Sequence, residues 1–301
     1  MLCVTSCKLL GFILHALQQT RGKHMARYGT AGNWIYGCRR VAVGVLLFVL
    51  VGAVNAAGNV LWVGNSRTYV GNLPEVYKAL VLATDGRPIE AEMLVRGGGD
   101  IAGRVEDGSA AREILSGRYQ HVLLQEHSSR ASCAAKADSR RTRPCQQLIK
   151  AHRDIVGMAR RMKLQVHIMG THHADPDRAQ QVLQGEAWLR QHTAADGHIP
   201  LARAYLAALE REPQMQWVLE DGYHPHIDLT LLMAVLTYRQ LHGQWPKPVD
   251  LALRYRSYSM QAFGADTTGN QQNLDTPLTE RVVPAAHIER IIDLARKGVG
   301  K

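Results

Sequence analysis

From Asn59 to Leu241 the chain alternates short apolar runs with longer stretches in which apolar residues recur every three or four positions. Four runs have strand length: NVLWV (59–63), IEAEMLV (89–95), HVLLQ (121–125) and QVHIM (165–169). Ile199–Ala202 predicts a short fifth. Helical spacing covers Leu73–Ala83, Val105–Leu115, Gln146–Lys163, Arg178–His192, a segment ending at Glu210, and the strongly apolar Ile227–Leu241. Strand followed by helix, repeated, predicts a parallel sheet covered on both faces. That is an α/β protein built as a three-layer α/β/α sandwich with about five strands.

The alternation stops at Trp245. Beyond it come Tyr255 and Tyr258, a polar stretch (GADTTGNQQNLDT) and a last helix near Ala286–Arg296. The expected organisation is a leader (1–57), a main domain (58–244) and a C-terminal extension packed on it (245–301).

The leader is read from Val41–Ala57, VAVGVLLFVLVGAVNAA, an uncharged run preceded by Arg39 and Arg40 and ending in small residues around Val54-Asn55-Ala56. A basic start, a short apolar centre and a small-residue end predict a secretory signal peptide cleaved near Ala56 or Ala57. A signal beginning at Met25 has ordinary length, so Met25 is a candidate for the true start beside Met1. Export to the periplasm or beyond the cell follows, with no stable membrane span in the mature chain.

Composition then narrows the partners. The 301 residues are 46% hydrophobic and 21% charged, which excludes global disorder. Net charge is +10, but six basic and no acidic residues lie in 1–57, so the remainder carries an excess of only four. That is no nucleic-acid footprint. Cys3, Cys7 and Cys38 fall in the leader; Cys133 and Cys145 remain, and in an oxidising compartment they are expected to bond.

In an open parallel sheet, ligands bind beyond the carboxyl ends of the strands. Gly64-Asn65-Ser66, Gly97-Gly98-Gly99 and Gln125-Glu126 follow the first three strands, and Asp221-Gly222-Tyr223-His224-Pro225 precedes the last apolar helix. A serine at a strand-to-helix turn, a histidine with an aspartate three residues before it, and glycines that let backbone N–H groups approach a substrate are the parts of an acyl-transfer site. Each also has an ordinary use. Ser66 and the Asp221–His224 pair suit helix caps, and Gly97–Gly99 suits a tight turn.

With these blocks the sequence resembles the SGNH (GDSL-type) hydrolase superfamily, in a branch with a GNS first block. VLWVGNSRTY matches the first block, Gly97–Gly99 the second and DGYHPH the last. The usual Asn of the third block is replaced by Gln125. The resemblance covers roughly Asn59–Gly243. It implies a flavodoxin-like sheet and an exported serine esterase acting on acyl or acetyl esters, with Ser66 as nucleophile, His224 as base and Asp221 orienting it. The N–H groups of Ser66 and Gly98 and the Gln125 amide would form the oxyanion hole, with no metal or organic cofactor. Carbohydrate, lipid and small-molecule esters stay open, as do an acyltransferase using the same residues and a silent domain that binds envelope glycan or protein.

Of the remaining polar residues, His172 and His173 with Asp175 nearby suit the cleft or its rim better than a metal. Glu126 and His127 fall at the cleft edge, Glu126 either exposed or hydrogen-bonded behind the site. Trp62 is expected in the core.

Overall fold

The computed structural model describes residues 58–259, 262 and 277–300. The leader, including Met25, Cys3, Cys7, Cys38 and the expected cleavage site, and the polar loop 264–276 lie outside the described residues.

Five parallel strands form the central sheet: β1 (Val60–Gly64), β2 (Ala91–Val95), β3 (His121–Gln125), β4 (Gln165–Met169) and β5 (Gly197–Ile199). Their order is β2-β1-β3-β4-β5, the flavodoxin-like arrangement. β1 and β3 are buried along their whole length, as strands covered on both faces must be.

Alternate residues of β1 enter different layers. Val60 and Trp62 pack with α2 (Leu73–Asp85), α8 (Leu201–Arg211), α9 (Ile227–His242) and α10 (Ala285–Val299). Leu61 and Val63 pack with α3 (Ile101–Glu106), α4 (Ser109–Leu115) and α6 (Arg143–Arg161). Trp62 is a core residue, edge-on to Tyr77 with ring centroids 5.3 Å apart. α1 (Ser66–Tyr69), α5 (Ser128–Ala131) and α7 (Pro176–Thr193) complete the α-helices among the described residues.

Two expectations need correction. The helix expected over Val105–Leu115 is two helices, because Asp107 ends α3 and Gly108, at φ +72°, turns the chain into α4. The C-terminal region also holds an antiparallel pair, β6 (Leu251–Arg256) with β7 (Leu278–Val283). In β6, Leu251, Leu253 and Tyr255 are buried while Ala252 and Arg254 are exposed, the period of a strand with one covered face. α10 lies so close to α8 that a Cβ on Gly298 would sit 2.5 Å from Ala204 Cα.

Cys133 and Cys145 form a disulfide across 12 residues, joining a 3₁₀ turn (Ser132–Ala135) to the first turn of α6. The stretch is polar in sequence, yet Cys145 is buried in a small cluster with Ala134, Leu148, Ile149 and Leu189.

Candidate active site

β1 ends at Gly64, where two side chains crowd in. A Cβ on Gly64 would lie 2.6 Å from Thr68 Oγ1 and 3.1 Å from Gln125 Oε1, so the bare glycine leaves room for the Thr68–Gln125 contact. Asn65 then caps α1, its Oδ1 accepting from the Arg67 N–H at 3.2 Å. Its Nδ2 donates to the Gly99 carbonyl at 3.4 Å, tying α1 to the glycine turn after β2. An aspartate here would cap equally well but would bring no donor for Gly99.

With Asn65 as cap, Ser66 occupies the first helical position and its side chain is free for another partner. Ser66 Oγ lies 2.9 Å from His224 Nε2. His224 Nδ1 lies 2.7 Å from Asp221 Oδ2. A carboxylate only accepts, so Nδ1 carries the ring proton and Nε2 presents its lone pair to the Ser66 hydroxyl. Neither Asp221 nor His224 caps α9, whose first residue is preceded by His226. The Ser66 N–H, at the start of α1, has no intrahelical acceptor.

The loop that carries the histidine is closed on itself. Leu219 N–H donates to the His224 carbonyl at 2.9 Å, and Asp221 Oδ1 accepts from the N–H groups of Tyr223 (2.7 Å) and His224 (2.9 Å). Burial by itself raises the Asp221 pKa. The donations from the His224 N–H and ring and from the Tyr223 N–H outweigh it and hold the carboxyl below its ordinary range.

Gly98 sits in the exposed turn beyond β2 at φ +63°, a conformation that favours glycine. Gln125 is buried, and its side chain is already committed. Oε1 accepts from Thr68 Oγ1 at 3.0 Å, while Nε2 donates to the Glu126 carbonyl (3.1 Å) and to Thr171 Oγ1 (3.0 Å). Both amide hydrogens are therefore spent on protein acceptors. The oxyanion contact expected of Gln125 gives way to a bracing one, which joins α1, β3 and the end of β4.

Further residues belong to this region, and of these Arg67 and Tyr223 were not singled out from sequence. Arg67 is 2% exposed, and its guanidinium carbon lies 3.8 Å from the Tyr223 ring centroid. His172 is buried, with Nε2 2.8 Å from the Tyr223 carbonyl oxygen. Tyr223 Oη lies 3.2 Å from His127 Nε2. Burial first, then the charge of Arg67, lowers the pKa of His127, His172 and His173. Glu126 is buried rather than exposed, its two oxygens accepting from the N–H groups of His127 (2.8 Å) and Ile101 (3.3 Å), and burial pushes its pKa up to about 8.

Among the described residues, no group of three or more His, Cys, Asp or Glu side chains is arranged to hold a metal ion. His172 and His173 are engaged separately, His173 Nδ1 accepting from the Asp175 N–H at 3.0 Å. A cavity of about 390 Å³ lies between the segment 128–132 and the start of α7, lined by Ser128, Ser129, Ser132, His173, Arg178, Gln181 and Val182.

No protein-family sequence pattern matches the chain, and no curated protein matches it by sequence. Solved structures do. A DUF4886 family protein from Bacteroides uniformis is 12% identical, with a TM-score of 0.50 over 81% of this chain and 95% of that one. The acetylxylan esterase Axe2 from Geobacillus stearothermophilus is 14% identical, with a TM-score of 0.47 over 64% and 98%. TesA is 15% identical, with a TM-score of 0.44 over 61% and 97%. At such identities the likeness concerns the fold, and the first of the three carries it. The chain shares its α/β fold with that protein, and the sequence blocks at its strand ends resemble those of the SGNH (GDSL-like) hydrolases.

Proposed function

We propose that this chain is a serine esterase that hydrolyses carboxylic esters through Ser66, His224 and Asp221. The observation that carries the reading is the continuous line of contacts from Asp221 Oδ2 to His224 (2.7 Å) and from His224 to Ser66 Oγ (2.9 Å) at the carboxyl end of the sheet. Ser66 Oγ attacks the ester carbonyl as its proton passes to His224 Nε2, and Asp221 stabilises the imidazolium that forms. The tetrahedral intermediate collapses, and the leaving alcohol takes the proton back from His224. Water, deprotonated by the same nitrogen, then releases the acid from acyl-Ser66 and restores the hydroxyl. The N–H groups of Ser66 and Gly98 are the oxyanion donors in this scheme. Gln125 supports them from behind. As written, the reaction balances without a metal or organic cofactor.

In this reading the protein works outside the cytosol. The support is the pattern of residues 1–57 and the Cys133–Cys145 bond. Turnover of a small activated ester by the wild-type protein, lost in Ser66→Ala, is the expected result. A wild-type protein inert towards activated and sugar acetyl esters alike contradicts it.

A further inference from the structure

We propose that Arg67 and His172 are positioning residues that clamp the Asp221–His224 loop through Tyr223 and so set where the base meets Ser66. The inference rests on the esterase reading for its kinetic consequence, but the clamp itself is a matter of the protein alone.

The loop holds its own shape through the Leu219–His224 backbone bond, the Asp221 carboxylate and a bridge between Val218 and Pro225. Those bonds close the loop without fixing it to the residues around Ser66. Docking comes from Tyr223, the residue before the base, and uses three separate handles. Its ring lies under the Arg67 guanidinium at 3.8 Å. Its carbonyl lies 2.8 Å from His172 Nε2. Its hydroxyl lies 3.2 Å from His127 Nε2.

The first two handles are linked. Arg67 Nη1 donates to the His172 carbonyl, so guanidinium, imidazole and tyrosine form a closed triangle between α1, the end of β4 and the loop. A carbonyl only accepts, so His172 Nε2 carries the ring proton and Nδ1 is bare. Nδ1 is buried without a hydrogen-bond partner. Burial and the Arg67 charge hold this histidine well below its ordinary pKa, in the neutral form that the arrangement requires.

Arg67 itself is unusual for a side chain that serves packing only. It is buried, its Nε has no hydrogen-bond partner, and it forms no salt bridge among the described residues, Glu186 attracting it only from beyond contact distance. A desolvated cation is costly, and its close partners here are an aromatic face and a carbonyl, both on the clamp. Because Arg67 directly follows Ser66, the triangle ties the loop to the residue next to the nucleophile. Small displacements between nucleophile and base are expensive in rate, which is what such a tie prevents.

The test measures turnover of a small activated ester and amide hydrogen exchange of residues 219–224 in the full chain. Arg67→Met and Tyr223→Leu should each lower kcat by roughly 10- to 100-fold with KM changed much less, because geometry is lost while substrate contacts stay. The double variant should be no worse than the poorer single one. Tyr223→Phe, which keeps ring and carbonyl, should recover most of the turnover lost in Tyr223→Leu. Exchange in 219–224 should quicken in Arg67→Met by about tenfold or more. If Arg67→Met does not fold, Arg67→Lys, which lacks the planar fork, carries the same expectations at smaller size. Unchanged exchange overturns the clamp whether or not esters are turned over, and so does unchanged kcat in an active, folded variant. A raised KM at unchanged kcat overturns it too, by making Arg67 a substrate contact. A wild-type protein without ester turnover but with quickened exchange in Arg67→Met refutes the esterase and supports the clamp.

Discussion

His224 Nε2 lies 2.9 Å from Ser66 Oγ although 158 residues separate them in the chain. The serine comes from the turn after the second-position strand of the sheet, and the histidine from a loop that enters after every strand of that sheet has been laid down. Nothing local brings them together. Their meeting depends on the sheet order, on Gly64 leaving room for the Thr68 and Gln125 side chains, and on Asn65 taking the capping duty that would otherwise occupy the serine.

Ser66→Ala and His224→Ala are each expected to lower ester turnover by about 10⁴-fold or more, and the double variant should be no worse, since the residues act as one proton relay. Steady-state kinetics on an activated ester, with circular dichroism to verify folding, checks this. Losses that multiply would mean the two residues act independently.

Removal of the Cys133–Cys145 bond, by Cys145→Ser or by reductant, should cost about 3 kcal/mol of stability from the freed loop. Loss of packing beside Leu148, Ile149 and Leu189 adds to the cost of the substitution. Denaturant midpoints with and without reductant measure it. Identical midpoints would show that the bond does not constrain the unfolded chain.

Acid should destabilise the fold earlier than its carboxylates alone require. Burial, the first cause at each site, lowers the pKa of His121, His152 and His167 to about 4 from an ordinary 6.5. Between those values the unfolded chain binds protons that the folded chain does not. Stability therefore falls as pH drops through the window, by on the order of a few kcal/mol in total. Denaturant midpoints at pH 7, 6 and 5 should decline, and His152→Leu should flatten the decline. A flat wild-type profile contradicts the account.

Glu126 should act in the opposite sense. Its folded pKa is raised to about 8 from 4.5 by burial, so the folded chain keeps a proton that the unfolded chain loses. This contribution to stability is largest below 4.5 and is lost as pH rises towards 8. Glu126→Gln keeps one acceptor oxygen and cannot ionise, so its stability relative to wild type should improve as pH rises through that window and level off above it. Midpoints of the two proteins at pH 5, 7 and 9 decide the matter. A difference independent of pH would show that Glu126 is ionised throughout.

Much of this fold can be read from the chain. β3 and β4 match the runs 121–125 and 165–169 because a short, mostly apolar run between two helical stretches has the length of a strand and not of a helix. The single helix expected over Val105–Leu115 fails at Asp107-Gly108, where apolar periodicity continues through a turn set by a positive-φ glycine. β7 escapes because LTERVV is mostly exposed and pairs with β6 only across a long polar loop. At the site, Ser66, Asp221 and His224 are recognisable by type and spacing. Gln125 shows why a residue type does not settle a role: its amide has the right donors, and Thr171 and the Glu126 carbonyl take them. His172 is placed at the cleft by its position after β4, but its role is not legible, and Arg67 and Tyr223 leave no local signal, since the meaning of each lies in partners about 50 to 156 residues away in the chain.

The most direct test of the central claim is covalent capture of the nucleophile. A fluorophosphonate should add once to the wild-type protein, and peptide mapping should place the adduct on Ser66. Ser66→Ala should not be labelled, and His224→Ala should be labelled far more slowly. Labelling at another serine, or equal labelling of wild type and Ser66→Ala, would contradict the assignment.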